Sequence, residues 1–438
     1  MEIKDKISYG AASLGDTIIY NILTVYLVYY LTEISGVPVF LAGFITAIAL
    51  VWNTLFVVFV GYLSDLVLAK YGERVSIMKI STPIMCVLFV ALFLGHGIPQ
   101  GYQPIYFCLV LILLWSSHSA YMVPYEAVGG EITRSSRTQI SLRNYARLFM
   151  SFGNIFALVL FTYLVGKLQT NFTFTEGEAW IWGIVLLTGV SVISFVVTNR
   201  MVRHKEIHLR TTFGRPSLLG MVKEYIQMAR LPYMNVFLGT SLILSVVNVI
   251  FSTNIVYFMK YNMGMAEDKR SYIFLILSIT GLLATFIFGY LSRHFDKKII
   301  MVASFTVTAL VMILYDFKAV ESIRDLGILI AVYTIGNSAY WQFIYSMGYD
   351  LGHADQERTG KKRQGSIMSI NKVIYKISGA VGIQIYTVVL SMKGYQQNLL
   401  YQSEDVNGII SSFVTIIPAA LFLMAALVVL KFPMTGRE

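Results

Sequence analysis

Charge is scarce in this chain. Only 13% of its 438 residues are Asp, Glu, Lys or Arg, while 56% are hydrophobic, more apolar surface than a soluble core of this length can hide. Cysteine is scarcer still. Cys86 and Cys108 both fall inside long apolar stretches, so they read as small packing residues and imply no disulfide framework. Nucleotide-binding and hydrolytic signatures are missing too. No Gly-x-x-x-x-Gly-Lys-Ser/Thr loop occurs, and Thr359-Gly360-Lys361-Lys362 lacks both the earlier glycine and the hydroxyl that would hold Mg²⁺. His204 and His208 stand i, i+4 in a basic segment, but the glutamate between them is displaced from the zinc-hydrolase pattern. ATP as an energy source and zinc hydrolysis are thereby set aside, and no enzyme activity, cofactor or metal centre is expected.

What the chain does contain is long apolar runs. A hydrocarbon core of about 30 Å needs roughly 20 apolar residues per helix, and twelve stretches qualify, near 8–33, 38–65, 78–96, 104–129, 142–167, 178–199, 234–259, 271–292, 298–317, 326–349, 366–392 and 408–431. An all-α polytopic membrane protein follows. The first stretch is too long for a signal h-region and no small-residue cleavage site follows the charged start, so it is expected to be retained. With both termini cytoplasmic, 25 of the 34 Lys and Arg fall in cytoplasmic segments and 7 in external ones, as the positive-inside rule asks. That distribution accounts for the pI of 9.3 without a nucleic-acid partner. The expected partners are the bilayer of the cell membrane and a small molecule.

Two features divide the chain in half. The segment Arg200 to Pro232 carries seven Lys and Arg and separates six stretches from six, giving expected units 1–199, 200–232 and 233–438. Within the linker, Leu218, Val222, Tyr225, Ile226 and Ala229 recur at helical spacing after Pro216, the pattern of an amphipathic helix on the inner leaflet or under the bundle. Gly61-Tyr-Leu-Ser64 and Gly289-Tyr-Leu-Ser292 end the second and eighth stretches, each before a short polar loop. Two similar halves around a central site are a common carrier design, and because one chain holds both halves a monomer is expected. Most telling are Lys372 and Lys376, one turn apart within the eleventh stretch. An ammonium at membrane depth normally faces a partner charge or an aqueous path, so these lysines suggest a chain that moves something polar.

The loop Gly61-Tyr-Leu-Ser-Asp65 followed by Lys70, Gly72 and Arg74 resembles the Gly-x-x-x-Asp-basic element of the major facilitator superfamily, which implies gating roles for Gly61, Asp65 and Arg74 and, in the second half, Gly289 and Arg293. Other segments resemble the glycoside-pentoside-hexuronide:cation symporters. These are Lys6-Ile-Ser-Tyr-Gly10, Tyr26-Leu-Val-Tyr-Tyr-Leu-Thr-Glu33, Glu131-Ile-Thr133 with Arg137-Thr138, and Asp355, Glu357, Gly360, Arg363 and Gly365 leading into Met368 to Gly379. The resemblance implies two pseudo-symmetric six-helix bundles of the major facilitator fold, alternating access and a sugar or glycoside substrate. Trp341, Lys376 and either Arg143 or Arg147 then match substrate-site positions, Asp16 lies one position from a family sugar-binding carboxylate, and Tyr26, Asn53 and Met122 complete the expected substrate-binding set.

Departures from the family pattern bear on the coupling ion. Its Na⁺-using members carry carboxylates where this chain has Asn53, Val57 and Met122, and a hard cation wants several oxygen ligands, usually charged. Proton coupling or facilitated diffusion is therefore expected over sodium coupling. Glu126, His118, Lys372 and Lys376 are the candidate coupling groups, since burial disfavours the charged form of each and so eases proton exchange among them. A sugar needs paired donors and acceptors for its hydroxyls and aromatic rings for its C–H faces. Trp341 is the expected stacking platform. Two rivals stay open: an exporter or carrier of an amphiphile such as a drug, peptide product or lysolipid, and a non-transporting sensor on the same scaffold.

Overall fold

A lipid core offers no hydrogen-bonding partner, so every backbone N–H and C=O that enters it must be satisfied within the segment, and helices do this locally. The computed structural model describes all residues except 1, 72, 133–135, 206–226, 229–230, 360–363, 398, 400 and 433–438, and among the described residues it is helical throughout. Among the described residues, eleven helices are long and apolar enough to cross a membrane. A twelfth, Ile323–Thr359, is longer than any of them. It falls short in hydropathy because Asn337, Trp341, Gln342 and a run of tyrosines replace aliphatic residues along it.

In chain order the helices are α1 (Ile3–Ile34), α2 (Val39–Tyr71), α3 (Val75–Leu94), α4 (Gln103–Glu131), α5 (Ser136–Asn154 continued by Phe161–Phe172), α6 (Glu176–Lys205), α7 (Met234–Asn262), α8 (Glu267–Leu291), α9 (Lys297–Lys318), α10 (Ile323–Thr359), α11 (Gln364–Met392) and α12 (Glu404–Val429). Single-turn π-helical stretches interrupt α1 at Ile22–Tyr26 and Tyr30–Ile34 and α5 at Ile155–Leu160. Polar side chains in the spans are largely used internally. Thr17, Thr46, Thr82 and Ser191 each donate to the carbonyl four residues earlier, which spends a hydroxyl where water is absent. Asp296 caps α9 by accepting from the Lys298 amide at 2.8 Å.

The chain forms two compact units, one of 1–215 with 266–274 and one of 216–265 with 275–438. In the first, α1 lies against α5 and α6, and α3 against α4 and α6. The second repeats the pattern six helices later: α7 lies against α11 and α12, and α9 against α10 and α12. Small residues set the closest approaches. A Cβ at Gly153 would stand 2.7 Å from Thr17 Cβ and 2.9 Å from the Leu14 carbonyl oxygen, and one at Gly15 would stand 3.1 Å from the Ser191 backbone. α1 is held so tightly between α5 and α6 that its remaining side-chain directions are fixed.

Two expectations need correction. The second apolar stretch does not end near Asp65, because α2 continues to Tyr71; the Asp65 side chain lies outside the described residues. The eighth begins at Glu267, four residues before the apolar run, and 266–274 belong to the first unit. The amphipathic segment 216–230 falls almost wholly outside the described residues.

The α1–α5 contact yields a contrast in stability. Gly153→Val should lower the melting temperature of the purified protein, at a cost of roughly 1–3 kcal/mol for overpacking. Gly189→Ala in α6, where a Cβ meets nothing within 4 Å, should be neutral or stabilise by roughly 0.5–1 kcal/mol. Equal melting temperatures for the two variants would show that α1 is not so confined.

Candidate functional site

In the first unit the polar residues of α1, α2 and α4 meet. Because α1 is clamped on two sides, Asp16 projects toward α4, where its Oδ1 lies 2.6 Å from His118 Nε2. Both side chains are mostly buried, at 17% and 11% exposure, so the pair trades water for one short, charge-assisted bond. Trp115 stands edge-on to the imidazole at 5.2 Å, and Tyr20 stands edge-on to Trp115 at 6.0 Å. On either side of His118 in the chain, Asn53 Oδ1 accepts from Ser119 Oγ at 2.6 Å, and Trp52 Nε1 donates to Ser116 Oγ at 2.8 Å. The positions expected to match the family's sodium-site carboxylates carry an amide already engaged by a serine, a valine and the half-buried Met122.

On the cytoplasm-expected side of this cluster, Tyr9 and Tyr125 stack at 4.6 Å, and Tyr125 shares a 2.9 Å hydrogen bond with Ser13. Glu126 follows, exposed. It is eight residues from His118, roughly 12 Å along the helix, and so is not in direct contact with the Asp16–His118 pair. Arg143 and Arg147 are both exposed on α5, and their surroundings do not separate them. Tyr26 differs from expectation. It is only 1% exposed, donates to the Leu158 carbonyl at 3.2 Å and is covered by Phe161, Trp180 and Phe274. In this structure it is a packing residue with no free ring face.

In the second unit the expected residues converge on α10 and α11. Trp341 is 42% exposed and lies 5.2 Å from both Tyr340 and Tyr375, while Tyr340 and Tyr375 stack at 6.0 Å. Ser245 on α7 donates to the Tyr375 carbonyl, and Gly379 and Gly382 bring α11 against the side chains and backbone of α7. Those glycines fix the rotation of α11. Ile377, Val381 and Ile385 form an exposed apolar stripe; Lys372 and Lys376 lie roughly 160° around the helix from its centre. Lys376 is half-buried and Lys372 exposed. Neither is isolated.

Of the gating candidates, Arg74 is 3% exposed and donates to Ser64 Oγ at 2.6 Å, tying the turn before α3 back to α2. Gly61 and Gly289 have open space around them, and Arg293 is exposed in the turn after α8.

One buried charged group escaped the sequence reading. Glu267 and Arg270 fall between the apolar stretches 234–259 and 271–292, yet their side chains are only 10% and 7% exposed, 3.7 Å apart. Arg270 also donates to the Tyr29 hydroxyl at 3.4 Å and lies over the Tyr29 ring. Their i, i+3 spacing just before an apolar run was the available signal, the signature of a first helical turn.

Comparison with known proteins completes the description. The sequence matches the family described as MFS/sugar transport protein over residues 8–436. The chain belongs to this family. An uncharacterized symporter, YjmB of Bacillus subtilis (strain 168), is 22% identical over 98% of this chain and 92% of its own. The glucuronide carrier protein homolog of Escherichia coli (strain K12) is 20% identical over 99% and 93%. The sodium-dependent lysophosphatidylcholine symporter 1 of Xenopus tropicalis is 20% identical over 93% and 83%. Among solved structures, the nucleoside transporter NupG superposes with a TM-score of 0.70 at 13% identity, covering 99% of this chain and all of that one. The fold is that of the major facilitator superfamily, and the protein is a multi-pass membrane member of a transporter family.

The Asp16–His118 bond makes a separable prediction. In a double-mutant cycle of thermal unfolding, Asp16→Asn and His118→Gln should be non-additive by roughly 1–3 kcal/mol, the range for mostly buried charge-assisted partners. Additive effects would mean that the two side chains do not act as a pair.

Proposed function

We propose that this protein is a proton-coupled secondary carrier of a sugar, glycoside or uronide, working by alternating access in the cell membrane with both termini cytoplasmic and with 1–199 and 233–438 as its two functional halves. The observation that carries the proton assignment is the 2.6 Å bond between Asp16 and His118 inside the first unit. A carboxylate and an imidazole in hydrogen-bond contact inside a span put a proton acceptor and a proton donor at one place. The residues at 53, 57 and 122, Asn, Val and Met, favour a proton over a cation that needs several charged oxygens.

Substrate chemistry is supported from the second unit. Half-exposed Trp341, backed by Tyr340 and Tyr375, offers a ring for C–H stacking. Lys376 offers a cation that would suit a uronate carboxylate or an acceptor-rich sugar edge. Among the relatives, the glucuronide carrier homolog points the same way. Arg143 or Arg147 is assigned to substrate, and Glu126 with Lys372 to release of the proton. No step of this scheme makes or breaks a covalent bond in the cargo, so the protein is a carrier and not an enzyme.

A second reading, carriage of an amphiphile, is favoured by the lysophosphatidylcholine symporter relative. Proteoliposome uptake separates the two. A glucuronide should accumulate when the outside is acid relative to the lumen and should stop accumulating when a protonophore is added. Accumulation driven by a Na⁺ gradient and indifferent to pH would overturn the proton assignment, and uptake of lysolipid without glucuronide would favour the second reading.

Single variants test the assignments within that assay. Lys376→Ala should cut uptake by at least about tenfold, the loss of one charge-assisted contact, with the melting temperature kept. Asp16→Asn should permit exchange down a substrate gradient while losing pH-driven accumulation. Near-normal uptake by Lys376→Ala would remove that lysine from the mechanism.

A further inference from the structure

A groove of about 570 Å³ runs between α3 and α6 in the first unit, away from the Asp16–His118 pair, and its two ends differ sharply in chemistry. Lys79, Arg200 and Arg203 line one end. Pro83, Cys86, Val87, Val192 and Val196 line the rest, and no carboxylate is present. The two helices are antiparallel here and joined by a 3.1 Å hydrogen bond from Asn199 Nδ2 to Thr82 Oγ1. The start of α3 and the end of α6 therefore lie at the same end of the bundle. By the distribution of Lys and Arg that end is cytoplasmic.

The dimensions match one leaflet. From Lys79 to Val87 the groove follows α3 for roughly 12 Å, and from Arg203 to Val192 it follows α6 for roughly 16 Å. Half of a hydrocarbon core about 30 Å thick is the same length. Between the cations and the apolar channel sits Asn199, which is 6% exposed and whose Oδ1 has no hydrogen-bond partner. Its amide nitrogen is spent on Thr82, which holds the two helices together at the point where the charged and apolar parts of the groove meet.

We propose that the α3–α6 groove is a binding site for an anionic phospholipid of the inner leaflet. Lys79, Arg200 and Arg203 hold its phosphate, and one acyl chain lies along Val87, Val192 and Val196. Basic clefts between spans on the cytoplasmic side suit such headgroups, with each cation contributing a severalfold gain in affinity. The site is independent of the sugar reading, since none of its residues belongs to the substrate or coupling groups.

The test is native mass spectrometry of the purified full chain, released from detergent containing phosphatidylglycerol or phosphatidylcholine with the same acyl chains. Phosphatidylglycerol should be retained at roughly 10- to 100-fold lower added concentration, as three cations at a severalfold gain each require. The triple variant Lys79→Gln, Arg200→Gln, Arg203→Gln should lose the preference, and glycerol phosphate should fail to compete because it has no chain for the apolar channel. Should the triple variant not fold, Val196→Trp fills the channel, keeps the cations and should by itself lower phosphatidylglycerol retention severalfold. Equal retention of the two lipids, a preference surviving the triple substitution, unchanged retention in Val196→Trp, or full competition by glycerol phosphate would each overturn the proposal.

Discussion

A polar side chain in hydrocarbon must find its partner in the protein or in water that enters it, and this constraint shapes nearly every feature described above. Hydroxyls of the spans are spent on carbonyls one turn back. Amides are spent on serines, as Asn53 is on Ser119. Asp16 is spent on His118. The two lysines of α11 are kept away from the exposed apolar stripe by a helix rotation that Gly379 and Gly382 fix against α7. Close packing of small residues and placement of charge are therefore one problem: glycines let helices approach, and the approach decides which way charged residues point.

Much of the fold was legible because it follows from that same constraint. Twelve apolar runs, a basic linker and a repeated Gly-Tyr-Leu-Ser element anticipated twelve long helices and a repeated neighbour pattern, with hydropathy too low only in α10, where Asn337 and Gln342 interrupt the run. Helix ends were less legible. Hydropathy marks where apolar residues stop, while helices continue into polar sequence as long as backbone bonding does, so α2 outruns Asp65 and α8 starts at Glu267.

Side-chain partners were the least legible. Asp16 and His118 are 102 residues apart and were assigned to different roles, substrate and coupling; only the rotation imposed on α1 by Gly15 and Gly153 brings them together. Tyr26 stands in a Tyr-rich segment, and nothing in the spacing distinguishes a ring covered by Phe161 and Trp180 from one that is free. Glu267 and Arg270 fall between two apolar runs, and local composition does not report that Tyr29 and Trp180 stand against them. In each case the missing information is a long-range contact, which periodicity does not encode.

The central claim is that the α11 cations meet water while the opposite stripe meets lipid. In a background with Cys86 and Cys108 replaced by Ala, single cysteines placed by Lys372→Cys, Lys376→Cys, Val381→Cys and Ile385→Cys can be treated in proteoliposomes with a charged, membrane-impermeant thiol reagent from either side. The account predicts modification at positions 372 and 376 and none at 381 and 385. Inert cysteines at 372 and 376 beside reactive ones at 381 and 385 would contradict it.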